Sequence, residues 1–590
     1  MLNSKQVDDF VLNKSITNEM DTTTSPAKIE QAVYSVLQGV DSTPYSITID
    51  GTTTTFTSSN TDTKAIRDGL KSAIGSPSGI TLVNIGDSSF SITKGSGTLD
   101  ISASDGFGDD ASQVVKDKVQ NFSDLPQPAI NNMVVEVTGD ASNNFDNYYV
   151  KYNTDVWEET VKPATSIDIK ETKFPHLLIR TADGNFRFTQ IDGSSYTISA
   201  TSYDVPTLGS RVAGDLNSAP DPSFIGKKIN DIFFHRNRLG VLADENVIMS
   251  RSGEFFEFFP ETVTSTLDTD PIDVASTHTK VSILQHAVSF DEELLIFSEQ
   301  SQFMVTGGAT LTASNISINV TTEFETDKTI KPVGAGSNVY FGFNKGNFTG
   351  VRELFIASDT DTKQADDITA NVPKFIPANV FKLSSATTEN ILVALSSDED
   401  NALYVFQYYV AQNKRLQSAW HKWTYGSTTS DKILNIDFIE NTLFIVNERS
   451  DGVYLETIDV SPALTDTGES YLTHLDRKIN NTQITESYNA GTNQTTLTLP
   501  YTINNTMKVV GKSGASNKAG QEIATISQSG TSIVVSGDIT AQNFFIGEQY
   551  EFEFQFSQQF IQVADSVGSR ISVKEGRLQI RNWSVSFNDT

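Results

Sequence analysis

The chain has 590 residues, 37% hydrophobic and 10% aromatic, which is too apolar for wholesale disorder and too long for a single core. It lacks cysteine, which excludes disulfides, thiolate zinc sites and cysteine nucleophiles. Its 43 basic against 73 acidic side chains give a net charge of −30, the wrong sign for a general nucleic-acid binder. Thr, Ser, Val, Ile, Phe and Tyr recur in short runs punctuated by Gly, Asn and Asp, so the fold class is mainly β.

The first ten residues hold no apolar stretch of signal-peptide length, and no run approaches the ~20 apolar residues of a membrane-spanning helix. The acidic surplus serves solubility and keeps free subunits apart. A sharper reading is a conduit, whose acidic wall would repel passing phosphates.

Residues 21–118 read as a small α+β domain. Ile47, Ile49 and Phe56 lie in alternating Thr-rich strands around the turn Asp50-Gly51. Ile66, Leu70, Ala73 and Ile74 repeat at helical spacing, with Thr63 as the expected cap. Strands resume at Thr81-Leu82-Val83 and Ser89-Phe90-Ser91-Ile92. Residues 119–220 read as a linker, Ser123 to Pro128, and a small β domain in which Trp157 closes a hairpin begun at Tyr148.

From 221 to 460 a strand pair recurs five times. Its landmarks Val241, Ile296, Phe341, Val393 and Phe444 fall about 45 to 55 residues apart, near the blade period of β-propellers. An irregular propeller-like platform is expected, ahead of a sandwich with evenly spaced hairpins. Residues 461–570 read as a β-barrel or sandwich, with alternation at Thr496-Leu497-Thr498-Leu499, Met507 to Val510, Ser532 to Val535 and Tyr550 to Phe556. A last alternation runs through Leu578, Ile580, Trp583, Val585 and Phe587, and the chain stops within it.

Chemistry is sparse. The histidines, His176, His235, His278, His286, His421 and His474, show no His-x-x-x-His pair and no zincin motif. Asp105 to Asp110 and Asp359 to Lys363 offer oxygens at short spacing but do not extend to a twelve-residue calcium loop, and are read as turns. Neither a Gly-x-Ser-x-Gly elbow nor a phosphate-binding Gly-x-x-x-x-Gly-Lys loop occurs. One basic cluster, Lys227, Lys228, Arg236, Arg238 and Arg251, is either a contact for an acidic neighbour or a set of charges paired locally with Asp231, Asp244 and Glu245; the local reading is preferred. No catalytic, cofactor-binding or metal-ligating residue is assigned.

The stretch Ile229-Asn230-Asp231-Ile232-Phe233-Phe234-His235-Arg236-Asn237-Arg238-Leu239-Gly240 resembles the tail tubular protein B (nozzle) family of autographivirus-type podoviruses. The resemblance continues through Glu245 to Arg251, Phe255 to Pro260, Asp270 to Ala275, Phe290 to Ser298 and Gln302 to Gly307. Weaker echoes lie at Met20 to Pro26, Gly139 to Ser142, Phe174 to Arg180, Trp420 to Trp423 and Gly576 to Arg581.

It implies a structural, non-enzymatic virion protein that forms a homo-hexameric ring at the distal end of a short tail. The ring would dock on the tail adaptor (tail tubular protein A), support tail fibres and gate a channel for viral DNA, without specific DNA binding. Family members extend beyond both ends, so residues 1–20 and 571–590 are expected to be a truncated start of the platform and a truncated return strand to it. The competing expectations are a tail-associated glycan hydrolase and a glycan-binding module.

Overall fold

The computed structural model describes residues 9–139, 147–277, 282–290, 292–308, 310–357, 362–411, 414–425, 431–462, 464–514, 519–555, 560–564, 570–573 and 575–584. The chain divides into two compact units, Met1–Phe343 with Val351–Asp367, and Asn344–Gly350 with Ile368–Thr590. The mainly β expectation is met: the described residues form many antiparallel sheets and one α-helix.

In the first unit, two sheets built around Gln31–Val36 and Pro44–Ile49 enclose the helix Thr63–Ile74. Ile66 and Leu70 meet Tyr34, Tyr45, Ile47, Phe90 and Ile92 in one core, as the helical spacing requires. The cap is Asp62 rather than the expected Thr63. The Asp62 carboxylate accepts the Lys64 N–H, and Thr63 is already the first helical residue. Asp50 and Gly51 both have positive φ, 49° and 79°, which gives the twist that joins Pro44–Ile49 to Thr52–Thr57.

The next sheet orders Val156–Thr160, Tyr148–Asn153, Val134–Val137 and Lys118–Val119. Trp157 sits opposite Tyr152, edge to face at 5.2 Å, and its Nε1 donates to the Pro126 carbonyl at 3.0 Å, pinning the linker over the hairpin.

Then come three four-stranded meanders. The first is Asp231–His235, Arg238–Ala243, Asn246–Met249 and Ile272–Ala275. The second is Leu284–Phe290, Glu293–Ser298, Gln302–Thr306 and Ser317–Thr322. The third is Val333–Ala335, Asn338–Lys345, Phe348–Ala357 and Thr362–Asp367, the tip of its central hairpin belonging to the second unit. Each strand pair read from the sequence is one hairpin of its meander: the first two strands in the first, second and fifth, the central two in the third and fourth.

The period of two explains why the inner strands read as solid apolar runs. Leu294 and Ile296 pack in the seam with the first meander, whereas Leu295 and Phe297 pack in the seam with the third. Each such buried side chain stabilises the seam by about 1.5–3 kcal/mol.

The second unit holds a fourth meander, Val380–Ala386, Ile391–Ser396, Ala402–Ala411 and Lys414–Thr424. A fifth has three strands, Lys432–Ile439, Thr442–Arg449 and Gly452–Asp459. Val393, Leu395, Ile436, Leu443 and Ile445 share the core between these two. A two-sheet domain follows. One sheet orders Asp476–Asn480, Phe544–Glu548, Met507–Gly511 and Glu522–Ile523. The other orders Thr485–Asn489, Gln494–Thr498, Ser532–Ser536 and Thr525–Ser529, and both close over Leu497, Met507, Val509, Ile533 and Phe544.

Two expected strands are not formed. Tyr550 to Gln555 and Arg577 to Ser584 are described but have no strand pairing, with Phe552 86% exposed and Leu578 and Ile580 on the surface. Alternation gives a strand two faces, but only a hydrogen-bonded neighbour makes it a strand. Phe556, Val585 and Phe587 lie outside the described residues.

Candidate functional site and family

The basic cluster at 227–251 is spent on its own fold. Arg236 and Asn237 have φ of 46° and 61° and form the two-residue turn between Asp231–His235 and Arg238–Ala243. Gly240 faces Phe233 across that hairpin, where a Cβ would meet the ring at 2.2 Å. Arg238 follows the turn and is 1% exposed. Its Nη1 donates to the carbonyls of Ser250, Thr269 and Asp270 at 2.8, 3.3 and 2.6 Å, and its Nη2 to those of Asp268 and Leu311 at 2.9 and 3.2 Å. One guanidinium thus ties the meander to two loops.

Arg236 Nη1 donates to the Gly308 carbonyl at 2.7 Å, and Arg251 pairs with Glu254 and Glu261. Lys227 lies near Asn246 and Asp244, and the backbone of Lys228 bridges Thr17. The cluster therefore does not present a joint cationic surface to an anionic neighbour.

The histidines are dispersed. His176 stacks on Phe188 at 4.9 Å, and its Nδ1 lies 3.0 Å from the Phe174 carbonyl. His235 and His421 are pushed down by burial, His235 with help from the Arg236 charge. His286 is 2% exposed and its Nε2 donates to the Lys328 carbonyl at 2.8 Å. That fixes the proton on Nε2, leaves Nδ1 buried without a partner, and burial pushes the imidazole down to about 4. His278 lies outside the described residues. Among the described residues, no three His, Cys, Asp or Glu side chains stand close enough to hold a metal.

The Asp105 carboxylate is consumed by its own loop. It accepts backbone N–H groups from Phe107, Asp109, Ala111 and Ser112 and the Ser112 hydroxyl. The Asp359 to Asp361 stretch lies outside the described residues. Two open depressions, of about 440 and 370 Å3, are lined by residues around Phe324 and Lys363 and around Arg236 and Glu292.

What the surface does offer is apolar edge. The fifth meander stops at three strands where the other four have four, and no strand pairs with the outer side of Gly452–Asp459 among the described residues. Val453 and Leu455 point outward from that strand, Leu455 at 69% exposed. Such edges suit subunit or segment pairing better than small-molecule chemistry.

The sequence profile of the family described as "Bacteriophage nozzle protein" matches residues 6–590. The tail tubular protein gp12 of Escherichia phage T7 is 31% identical over 544 residues, covering 90% of this chain and 66% of that protein. The chain thus spans slightly less than two thirds of its relative's length.

Among solved structures, Hsv2p of Kluyveromyces lactis aligns at 8% identity and a TM-score of 0.27, over 59% of this chain and 88% of that one. The WD40 domain of Toxoplasma gondii coronin aligns at 11% identity and a TM-score of 0.27, over 53% and 75%. The family match rests on sequence that runs through the Arg238 hairpin and all five meanders, and by it the chain belongs to the bacteriophage nozzle protein family.

Proposed function

We propose that this chain is a structural subunit of a short phage tail, residing in the virion, that assembles into a homo-hexameric nozzle ring. The observation that carries the reading is the family match over residues 6–590, supported by 31% identity to a T7 tail tubular protein. The ring docks on the tail adaptor, supports tail fibres and gates the passage of viral DNA. Residues 221–460 form its propeller-like platform, with the domains at 21–118, 119–220 and 461–570 carried on it. The role is mechanical rather than enzymatic.

The acidic surplus fits the channel function, since a net charge of −30 repels phosphates and lets a duplex pass without sticking. The free apolar edge at Gly452–Asp459 fits an assembly role. Electron microscopy of the full-length gene product co-expressed with its adaptor tests the reading. Rings of six subunits on the adaptor are expected; a monodisperse monomer that never joins the adaptor sinks it.

A further inference from the structure

Where the fifth meander meets the two-sheet domain, both within the second unit, buried charges do not balance. Arg449 ends the strand Thr442–Arg449 and grips Glu456 of Gly452–Asp459 with two bonds, Nε to Oε1 at 2.9 Å and Nη2 to Oε2 at 3.0 Å. Its Nη1 lies 3.5 Å from Asp431, just ahead of Lys432–Ile439. Arg477, on the first strand of the two-sheet domain, reaches Glu548 at 3.1 Å and lies 3.7 Å from Glu456. Asn505 donates to the other Glu548 oxygen at 2.8 Å.

The side chains of Asp431, Arg449, Arg477 and Glu548 are all at most 5% exposed. Both Asp431 oxygens are buried without a hydrogen bond, as are Arg449 Nη1 and Arg477 Nη2. Asp476 stands directly across the ladder from Glu548, a like-charge pair. Among the described residues, no hydrogen bond or ion pair reaches the Asp476 carboxylate. Four carboxylates thus share two guanidinium groups.

We propose that this cluster is a proton-sensitive joint: Asp476 takes up a proton as the solution turns mildly acid, and the two-sheet domain then holds the fifth meander more tightly. Burial, with repulsion from Glu548 and Glu456 against the pull of Arg449, pushes Asp476 up to about 6. Burial also raises Asp431, which Arg449 opposes and Glu548 reinforces.

The remaining titratable neighbours do not compete. Burial raises Tyr425, Tyr454, Tyr501 and Tyr550, so these phenols stay neutral. Asp451 is lowered by accepting from Thr502, in spite of burial, and stays ionised. Lys478 is turned away onto Asp466 at 2.6 Å.

The sign follows from linkage. Asp476 binds its proton more tightly folded than unfolded, where the value is about 3.9. Its contribution is therefore fully present below about pH 4 and is lost as the pH rises through about 6.

Hydrogen exchange on the full chain, corrected for intrinsic rates, tests this at about pH 5 and pH 7.5. Protection of amides in Asp476–Asn480 and Phe544–Glu548 should be about tenfold higher in acid, with about a hundredfold as the ceiling for a two-unit shift. Asp476→Asn should show the acid level at both pH values, and Asp431→Asn should keep the step. Protection that is flat or falls in acid overturns the proposal. So does a step that survives Asp476→Asn or vanishes only with Asp431→Asn. If Asp476→Asn does not fold, Glu548→Gln decides: removing the facing charge should move the step to lower pH, and an unmoved step rejects the joint.

Discussion

Buried charge is handled in opposite ways in the two units. In the first, the Arg238 guanidinium donates to five backbone carbonyls, with the Asp270 carboxylate only a lesser electrostatic neighbour behind burial. His286, in turn, is buried as a neutral ring within reach of the charges of Asp231, Lys14 and Lys331. In the second unit, Arg449 and Arg477 are outnumbered by carboxylates that must shed charge. The difference teaches that a buried cation can be a fixed pin or half of a titrating device. The choice lies with its acceptors: carbonyls hold one protonation state, whereas crowded carboxylates trade protons with solvent. Acid should therefore leave the Arg238 pin in place, weaken the site around His286 and tighten the cluster around Asp476.

The widest break in that comparison comes from Arg238→Met. It leaves five buried carbonyls without their donor while keeping most of the volume, and should cost about 3–5 kcal/mol. Urea unfolding followed by a probe of the first unit measures it, and the loss should be the same at pH 5 and pH 8. A loss that varied strongly with pH would place a titrating partner on Arg238 and erase the contrast.

Next in size is His286. Its folded value is depressed to about 4, against about 6.5 unfolded, so the unfolded chain takes up the proton first. The stability this group contributes is present above about pH 6.5 and is lost as the pH falls toward 4. Between about pH 8 and pH 5 the wild type should lose about 2 kcal/mol through this ring. His286→Phe should abolish that loss, while costing about 1 kcal/mol at pH 8 for the bond to the Lys328 carbonyl. Equal acid sensitivity in variant and wild type would remove His286 from the comparison.

How much of this could be read from the sequence depends on range. Local rules sufficed for the Asp50-Gly51 turn, the Ile66/Leu70 helix face, the Trp157 hairpin and the five strand pairs, because each is fixed by neighbours a few residues apart. The remaining strands of the meanders were invisible. Thr362–Asp367 reads TKQADD, a polar edge held by backbone bonds, with Ala365 its single buried core residue. Conversely, Tyr550 to Gln555 alternates well and forms no strand. The basic cluster was visible as composition, but not that Arg238 points inward.

The joint around Asp476 had no spacing signature, since its members come from five separate strands and their flanks. One signal was available: Leu443, Ile445 and Asn447 mark the inward face of their strand, and Arg449 continues that register. A cation on the inward face of an alternating strand demands a buried acidic partner, and a search for one leads to Glu456.

The smallest effect refines the acid side of the contrast. Glu30 accepts the Leu99 N–H at 2.8 Å and lies 3.0 Å from Lys116 and 3.2 Å from Lys28. The Leu99 amide and then the two lysines outweigh burial and hold its carboxyl down at about 2. With a depressed folded value, its stabilisation is present above about pH 4.3 and is lost as the pH falls through about 2. The side chain is 22% exposed, so solvent screening trims the contribution to about 1–2 kcal/mol. Glu30→Gln should cost that much at pH 7 and almost nothing near pH 2, read by thermal melting of the first unit. Its window lies below that of His286, so the first unit should weaken in two separate steps on acidification. A single merged step would mean that the two groups are coupled through the fold rather than acting at independent places.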